Sequence, residues 1–485
     1  MKEEIRNEIY SNLDENIDYI KGLLKDVSDI VYREFYIGEN KATLIYIDGM
    51  ADKILINNFV LESLMLEKTS IKVEDIEKRF LTVSDMREEK DLSKAVNSMM
   101  SGDTMLFINN FTACYVIATR FWPARGVSEP SGETVVRGGR DGFTETIRFN
   151  TALVRRRIRD TRLKVIPKSL GSRSKTDTAI MYMEDIADKE IVDETIKRIE
   201  KISIDSILDS GYVEQLIEDS KWSIFPQVES TERPDVVASA LYEGRVAILV
   251  DNSPFALIVP ATLPVFFQSP DDYYQRWAYG SMFRIIRLIA VFMSLVLPAL
   301  YVAITSFHVS ISPTKLAYFI AASREGVPFP AFVETIIMEV SLALLTESTV
   351  RLPKPIGSTI GIVGGLIIGQ AAVSAGIVSP IMIIIISITT ITNFTTPNYE
   401  VAMAIRIVRF LLIIAASFIG LYGIVLGLVL LLIHLIRLKS FGISYLSPLV
   451  NPNIKDFKDV YVRLPWDSFK ERPKYLNTKD KIRQK

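Results

Sequence analysis

The feature that most constrains this 485-residue chain is a long stretch in which charged residues are scarce. Only 11 of the 113 charged residues fall between Leu288 and Ile436, and residues 355–399 carry none. About 20 apolar residues suffice to cross a bilayer, and one small core could not cover apolar runs of this length. The sequence therefore excludes a wholly soluble protein and predicts an all-α multi-pass membrane domain over residues 284–437.

The number of crossings depends on the last apolar tract, residues 401–436. As one helix it would be about 54 Å long, well beyond a hydrocarbon core of about 30 Å. As two helices it would turn at residues 420–423. With an even number of crossings, the basic residues at the helix ends lie on the cytosolic side, together with the basic tail at 438–485 and the amino-terminal half. We predict six crossings; four, with residues 330–345 in the interface and one tilted last helix, stays open.

The amino-terminal half contains an internal repeat. Residues 44–53 match 180–189, and Gly102 with residues 105–110 matches Gly244 with residues 247–252. We predict two α/β subdomains, 41–145 and 176–283, in which a strand precedes a helix starting near Asp52 or Asp188 and a β-hairpin follows. A duplicated binding module and a duplicated scaffold would leave the same trace.

Two further segments flank these subdomains. Residues 1–40 show apolar positions at helical spacing and predict an amphipathic helical lead, docked on its own domain or lying on a membrane surface. Residues 146–175 are predicted to be a basic connecting segment. The stretch from 120 to 175 holds 14 basic and 5 acidic residues and no aromatic platform, which favours a partner or lipid headgroups over nucleic acid. The predicted basic interface motif consists of Arg137, Arg140, Arg155, Arg156, Arg157 and Arg159.

The third apolar segment carries glycine at every fourth position. Such spacing gives one helix face a stripe of bare backbone, which permits close helix contact in lipid. The contact could lie within one chain, or the helices could form a ring in a homo-oligomer and line a narrow pore closed by an apolar residue such as Ile362. The predicted pore or oligomer helix includes Gly357, Ser358, Gly361, Ile362, Gly365 and Gly369.

Three carboxylates, Glu334, Glu339 and Glu347, lie in and after the second apolar segment. Carboxylates at membrane depth are costly and face water or a partner. They could pair with Arg351 and Lys354, attract cations at a pore mouth, or belong to a helix in the interface.

Catalytic and metal chemistry find little support in the composition. Cys114 is the single cysteine and His308 and His434 are the two histidines, which argues against a disulfide framework, a cysteine cluster and a multi-histidine site. No nucleophile–base pair is visible. We therefore expect neither an enzyme nor a cofactor or metal site.

Several motifs together resemble the GerA-type spore germination receptor A-subunit family, and the resemblance covers roughly residues 41–452. Ser444 is a small departure from the family pattern, because proline is more usual at that position. The glycine stripe resembles the nutrient-receptor branch of the family more than the SpoVAF branch. The motifs are 136–143 (VRGGRDGF), 150–153 (NTAL) with 155–160 (RRRIRD), 171–176 (GSRSKT), 231–235 (TERPD), 351–357 (RLPKPIG), 394–397 (FTTP), 440–442 (SFG) and 445–448 (YLSP).

The resemblance implies a multi-pass protein of the spore inner membrane whose amino-terminal half faces the spore core. It implies a transporter-like B subunit that binds the nutrient and a lipoprotein C subunit as partners. It also implies that the A subunit oligomerises into a ligand-gated ion channel that starts germination. A non-conducting membrane scaffold or signalling subunit, or a SpoVAF-like accessory channel, remains the alternative.

Overall fold

The computed structural model of the chain describes residues 5–66, 76, 81–83, 85–121, 129–130, 132–350, 369–450 and 454–484. Two antiparallel sheets lie in its amino-terminal half, and helices dominate the carboxyl-terminal half.

Helices pack on both faces of the first sheet. Its strands are β1 (Ile30–Ile37), β2 (Asn40–Ile47), β3 (Met86–Glu89), β4 (Thr104–Ile108) and β5 (Cys114–Ile117), and its helices are α1 (Leu13–Leu23), α2 (Lys53–Leu55), α3 (Glu62–Met65) and α4 (Leu92–Met99), with a π-helix (Ile56–Leu61) between α2 and α3. The strand order is β1-β2-β4-β5-β3. Ile17 of α1 and Val96 of α4 share one core with Phe107, whereas Val60 and Leu64 cover Leu44 on the opposite face.

The second sheet repeats this arrangement. Its strands are β6 (Leu163–Leu170), β7 (Thr176–Met183), β8 (Glu229–Thr231), β9 (Val246–Val250) and β10 (Ala256–Val259), and its helices are α5 (Ile147–Arg157), α6 (Lys189–Glu200), α7 (Ser210–Ile217) and α8 (Pro234–Glu243). The order β6-β7-β9-β10-β8 is that of the first sheet, position by position.

Local details of the repeat agree with the sequence prediction. Asp52 and Asp188 each cap a helix, accepting hydrogen bonds from backbone N–H groups of its first turn. The hairpins β4–β5 and β9–β10 turn through Asn110 and Asn252, which have φ of 62° and 66°, left-handed values that asparagine tolerates. The predicted repeat and its two hairpins are confirmed.

The predicted helical lead over residues 1–40 is wrong for its second part. Leu13–Leu23 is a helix docked on its own domain, with Leu13, Ile17 and Ile20 buried. Residues Ile30–Ile37 instead form β1, because all eight of them pair with β2 and place Phe35 and Ile37 in the core.

The predicted connecting segment at 146–175 is also wrong, since it supplies α5 and β6 of the second α/β unit. Leu153, Val154 and Ile158 are buried in the core beneath β7 and β9. Its basic character misled the prediction, because the apolar residues between the basic ones face inward.

The carboxyl-terminal half contains α9 (Asp271–Tyr274), α10 (Trp277–Ser306), α11 (Thr314–Arg324), α12 (Ala331–Val350), α13 (Pro380–Asn393), α14 (Tyr399–Ile419) and α15 (Leu421–Arg437). Residues 369–374 are also helical. In the described part of the chain, α10 and α14 are long and apolar enough to cross a membrane, and α13 and α15 are shorter apolar helices.

The last apolar tract is two helices. Gly420 separates α14 from α15 with φ 61° and ψ −137°, a conformation suited to glycine. The helices fold back on each other, so that a side chain at Gly427 would overlap Leu412. This hairpin contradicts a single tilted helix over residues 401–436.

The tail after α15 lies against the second α/β unit. The Ser440 hydroxyl donates to the backbone oxygen of Gln227 at 2.7 Å, and Tyr445 O accepts from the N–H of Leu263 at 2.7 Å. Further along, the N–H of Lys479 donates to Ile186 O at 3.0 Å. Both ends of the helical half therefore meet the same α/β unit. Short elements of this tail are β11 (Lys439–Ser440), β12 (Ile443–Ser444) and the 3₁₀ turns Ile454–Asp459, Trp466–Ser468 and Lys474–Leu476.

Candidate functional site

A buried ion pair joins three helices of the carboxyl-terminal half. Arg409 of α14 lies 3.0 Å from Glu339 of α12, measured from Nη2 to Oε2, and both side chains are under 5% exposed. The second terminal nitrogen of Arg409 donates to the hydroxyl and carbonyl oxygens of Ser294 in α10, at 2.9 and 3.2 Å. Removing one partner would leave a buried charge without compensation, so this pair fixes how the three helices pack.

Glu334 forms a second buried cluster, one and a half turns earlier on α12. One carboxylate oxygen pairs with Arg324 of α11 at 3.1 Å. The other accepts from the N–H and hydroxyl of Ser379 at 3.1 and 3.0 Å. Ser379 is the N-cap of α13, and its hydroxyl also lies 3.1 Å from that of Tyr301 in α10. The Glu334 side chain is itself fully buried, and it connects four helices either directly or through Ser379.

The third carboxylate differs from these two. Glu347 lies near the end of α12 and is exposed. Arg351 and Lys354, the partners considered for these carboxylates from the sequence, lie outside the described residues. The structure therefore gives Glu334 and Glu339 arginine partners from other helices, Arg324 and Arg409.

Five of the six residues predicted for the pore helix lie outside the described part of the chain. They are Gly357, Ser358, Gly361, Ile362 and Gly365. Gly369 is described and buried. A Cβ added there would lie 3.8 Å from Ile383 of α13, an ordinary van der Waals distance. At this position the small residue faces its own chain.

The basic interface motif divides into buried and exposed arginines. Arg155 is fully buried, where its guanidinium pairs with Asp29 at 2.8 Å and donates to Leu163 O at 3.2 Å. Arg157 pairs with Asp141 at 2.6 Å. These two hold the α/β half together. The exposed members of the motif are Arg137, Arg140, Arg156 and Arg159.

Arg409 and Ser379 were missed as site residues from the sequence. A signal for Arg409 was present, because a cation in the middle of an apolar helix requires a buried partner. No comparable signal marked Ser379, since serine before proline is common at any helix start.

Comparisons with known proteins agree with the sequence motifs. The model of the family described as Bacillus/Clostridium GerA spore germination protein matches residues 18–475. The chain is 42% identical over 482 residues to spore germination protein KA of Bacillus subtilis (strain 168), covering 98% of this chain and 89% of that protein. It is 42% identical over 488 residues to spore germination protein B1 of the same organism, covering 99% of this chain and all of that protein.

A solved structure also matches. The crystal structure of the N-terminal domain of the A subunit of the Bacillus megaterium spore germinant receptor GerK3 is 36% identical, with a TM-score of 0.42. The match covers 53% of this chain and 98% of that one.

Proposed function

Because the chain belongs to the GerA family of spore germination proteins, we propose that it is the A subunit of a nutrient germinant receptor of bacterial spores. The observation that carries this proposal is the family match over residues 18–475, which leaves few residues unmatched at either end. The proposed partners are a transporter-like B subunit and a lipoprotein C subunit.

The proposed location is the spore inner membrane, with the α/β half on the core side. Two helices of spanning length and the exposed apolar residues along α15, such as Leu426 and Leu430, support a membrane-embedded half. The contact between the tail and the second α/β unit supports a topology in which both ends of this half emerge on one side. An even number of crossings agrees with such a topology. The hairpin at Gly420 favours six over four.

The subunit is further proposed to oligomerise into a ligand-gated ion channel, with the helix that contains Gly357, Gly361 and Gly365 lining the axis. Glycine every fourth residue supports close packing of identical helices in lipid. Gating requires the ligand to bind the open arrangement more tightly than the closed one. A change in the ratio of open to closed channels from 1:99 to 99:1 takes about 5.5 kcal/mol of differential affinity, which the subunits share.

Reconstitution into liposomes tests the conduction proposal. We expect cation flux from the purified oligomer, and we expect Gly365→Leu to force the helices apart and abolish assembly or leave a leaky channel. Gly326→Leu is the matched control, because a Cβ added there meets no atom of the described residues within 4 Å. Unchanged assembly and flux in Gly365→Leu would contradict the pore.

A non-conducting scaffold or signalling subunit is the second candidate, and the position of Gly369 favours it. That glycine faces Ile383 of its own chain, as expected if the whole stripe serves packing within one subunit. If the chain is a scaffold, we expect an oligomer or receptor complex that conducts no ions. A SpoVAF-like accessory channel would conduct as well, and dependence of the flux on the nutrient and the B subunit separates it from the receptor.

A further inference from the structure

A cavity of about 510 Å³ lies where the second α/β unit meets the helical half. Its walls come from β8, α8, the segment leading to α10, the loop between α13 and α14, and Trp466 of the tail. Cavities of this size hold small molecules in other proteins. Two of the resemblance motifs, 231–235 and 394–397, contribute to its lining. An occupant would therefore touch both halves of the chain.

Glu133 contributes a carboxyl group to this cavity and has one cation nearby, Arg233. The Thr231 hydroxyl donates to it at 2.6 Å. The neighbouring guanidinium of Arg233 is engaged by Asp235 at 2.7 Å, and among the ion pairs of the described ranges none includes Glu133. Burial raises the pKa of Glu133 to about 7. The carboxylates of Glu229 and Glu232 add to this rise, whereas the Thr231 hydroxyl and the charge of Arg233 oppose it. A positive charge placed beside Glu133 would relieve both costs.

Arg245 lines the same cavity, and one of its side-chain donors has no acceptor in the described part of the chain. Its side chain is 4% exposed, pairs with Glu229 at 2.6 Å through Nη1, and donates from Nε to Pro260 O at 2.8 Å. Its Nη2 is buried and has no hydrogen-bond partner in the described part of the chain. An unsatisfied buried donor costs about 1–3 kcal/mol, so an oxygen supplied by an occupant would be stabilising.

Other charged groups in the lining are already engaged. Asp235 accepts from Tyr274 as well as from Arg233, Glu243 pairs with Arg483 at 3.5 Å, and Arg287 pairs with Asp272 at 3.1 Å. The aromatic residues of the lining are Phe266, Tyr273, Tyr274, Phe394 and Trp466. The rings of Tyr273 and Trp466 already have arginine guanidiniums over them, Arg284 at 5.2 Å and Arg463 at 4.9 Å from the ring centres.

We propose that this cavity binds a small molecule with a primary ammonium group, which Glu133 receives, and an oxygen, to which Arg245 Nη2 donates. Such a group belongs to free amines such as ethanolamine and to the ethanolamine headgroup of membrane lipids. Arg287 of α10 and the α13–α14 loop line the cavity, so either source can reach it. The site requires no ion conduction and stands apart from the channel proposal.

Calorimetric titration of the full chain in dodecyl maltoside tests the proposal with two probes of equal size. Ethanolamine carries the ammonium group, and ethylene glycol replaces it with a hydroxyl. We expect ethanolamine to bind and ethylene glycol not to bind. Glu133→Gln keeps the acceptor for Thr231 but loses the charge, and we expect at least a tenfold loss of affinity. Glu129→Gln is the matched control, because Glu129 is exposed and lies outside the cavity.

The pH dependence gives an independent readout. Below about pH 7 the Glu133 carboxyl must release a proton when the ammonium binds, so the affinity should fall about tenfold per pH unit; above pH 7 it should level off. Glu133→Gln should remove this dependence. Equal binding of the two probes, an unchanged affinity in Glu133→Gln, or a flat pH profile of the unmodified chain would overturn the proposal.

Nanodiscs distinguish the two sources. If the lipid headgroup is the natural occupant, phosphatidylethanolamine in a phosphatidylcholine disc should block ethanolamine binding, and Glu133→Gln should co-purify with less of that lipid. If a free amine is the occupant, the disc composition should leave ethanolamine binding unchanged.

Discussion

The guanidinium of Arg155 lies fully buried, 2.8 Å from the carboxylate of Asp29. Asp29 immediately precedes β1 of the first sheet, and Arg155 lies on α5, which packs against the second sheet. The contact therefore joins the two α/β units through a charge pair shielded from water.

Replacing Asp29 with alanine should destabilise the α/β half strongly. The substitution leaves Arg155 buried with Leu163 O as its remaining acceptor, and removing one partner of a buried pair costs about 3–5 kcal/mol. Urea unfolding of the full chain in detergent, followed by near-ultraviolet circular dichroism, measures the loss. Arg159→Gln is the control at an exposed position of the same motif, with an expected change within about 0.5 kcal/mol. Equal losses in the two variants would show that the pair contributes little.

The pair of Glu339 and Arg409 should behave as one unit in the helical half. Arg409→Met leaves the Glu339 carboxylate buried without its cation, and a loss of about 3–5 kcal/mol is expected. The double variant Glu339→Gln, Arg409→Met should recover part of that loss, because no uncompensated charge remains. Thermal unfolding in detergent of the two single variants and the double variant gives the coupling energy. Strict additivity would mean that the two side chains do not interact.

Glu214 of α7 should make stability depend on pH. Burial, and then the neighbouring carboxylates of Glu400 and Glu218, raise the pKa of Glu214 to about 9. Between the ordinary carboxyl value and about 9 the unfolded chain has lost a proton that the folded chain keeps, so stability falls as pH rises across this window.

Glu214→Gln should remove that loss. The melting temperature of the variant relative to the unmodified chain should therefore rise between pH 6 and pH 8. Asp193→Asn, at an exposed position of α6, should show no such change. A constant difference between Glu214→Gln and the unmodified chain at both pH values would contradict the shifted pKa.

Local features of the α/β half could be predicted from the sequence because they depend on neighbouring residues. Asp52 and Asp188 precede helices that they cap, and Asn110 and Asn252 occupy hairpin turns of left-handed conformation. Strand β1 was missed because its identity depends on pairing with β2 across the sheet, while its local pattern continues the apolar spacing of the preceding helix.

Contacts between distant residues could not be predicted in the same way. Glu339 and Arg409 are 70 residues apart, and Arg155 and Asp29 are 126 apart. A single sequence shows that such charges need partners but does not show which ones. The segment containing Arg155 was predicted to be a connecting one because its basic residues far outnumber its acidic ones. The helix nevertheless buries one arginine completely.

Imaging of the detergent-solubilised protein for rotational symmetry tests the channel proposal most directly. We expect a ring of identical subunits in which the helix with Gly357, Gly361 and Gly365 faces the common axis. A monomer, or a ring in which that helix faces its own chain or the lipid, would contradict it.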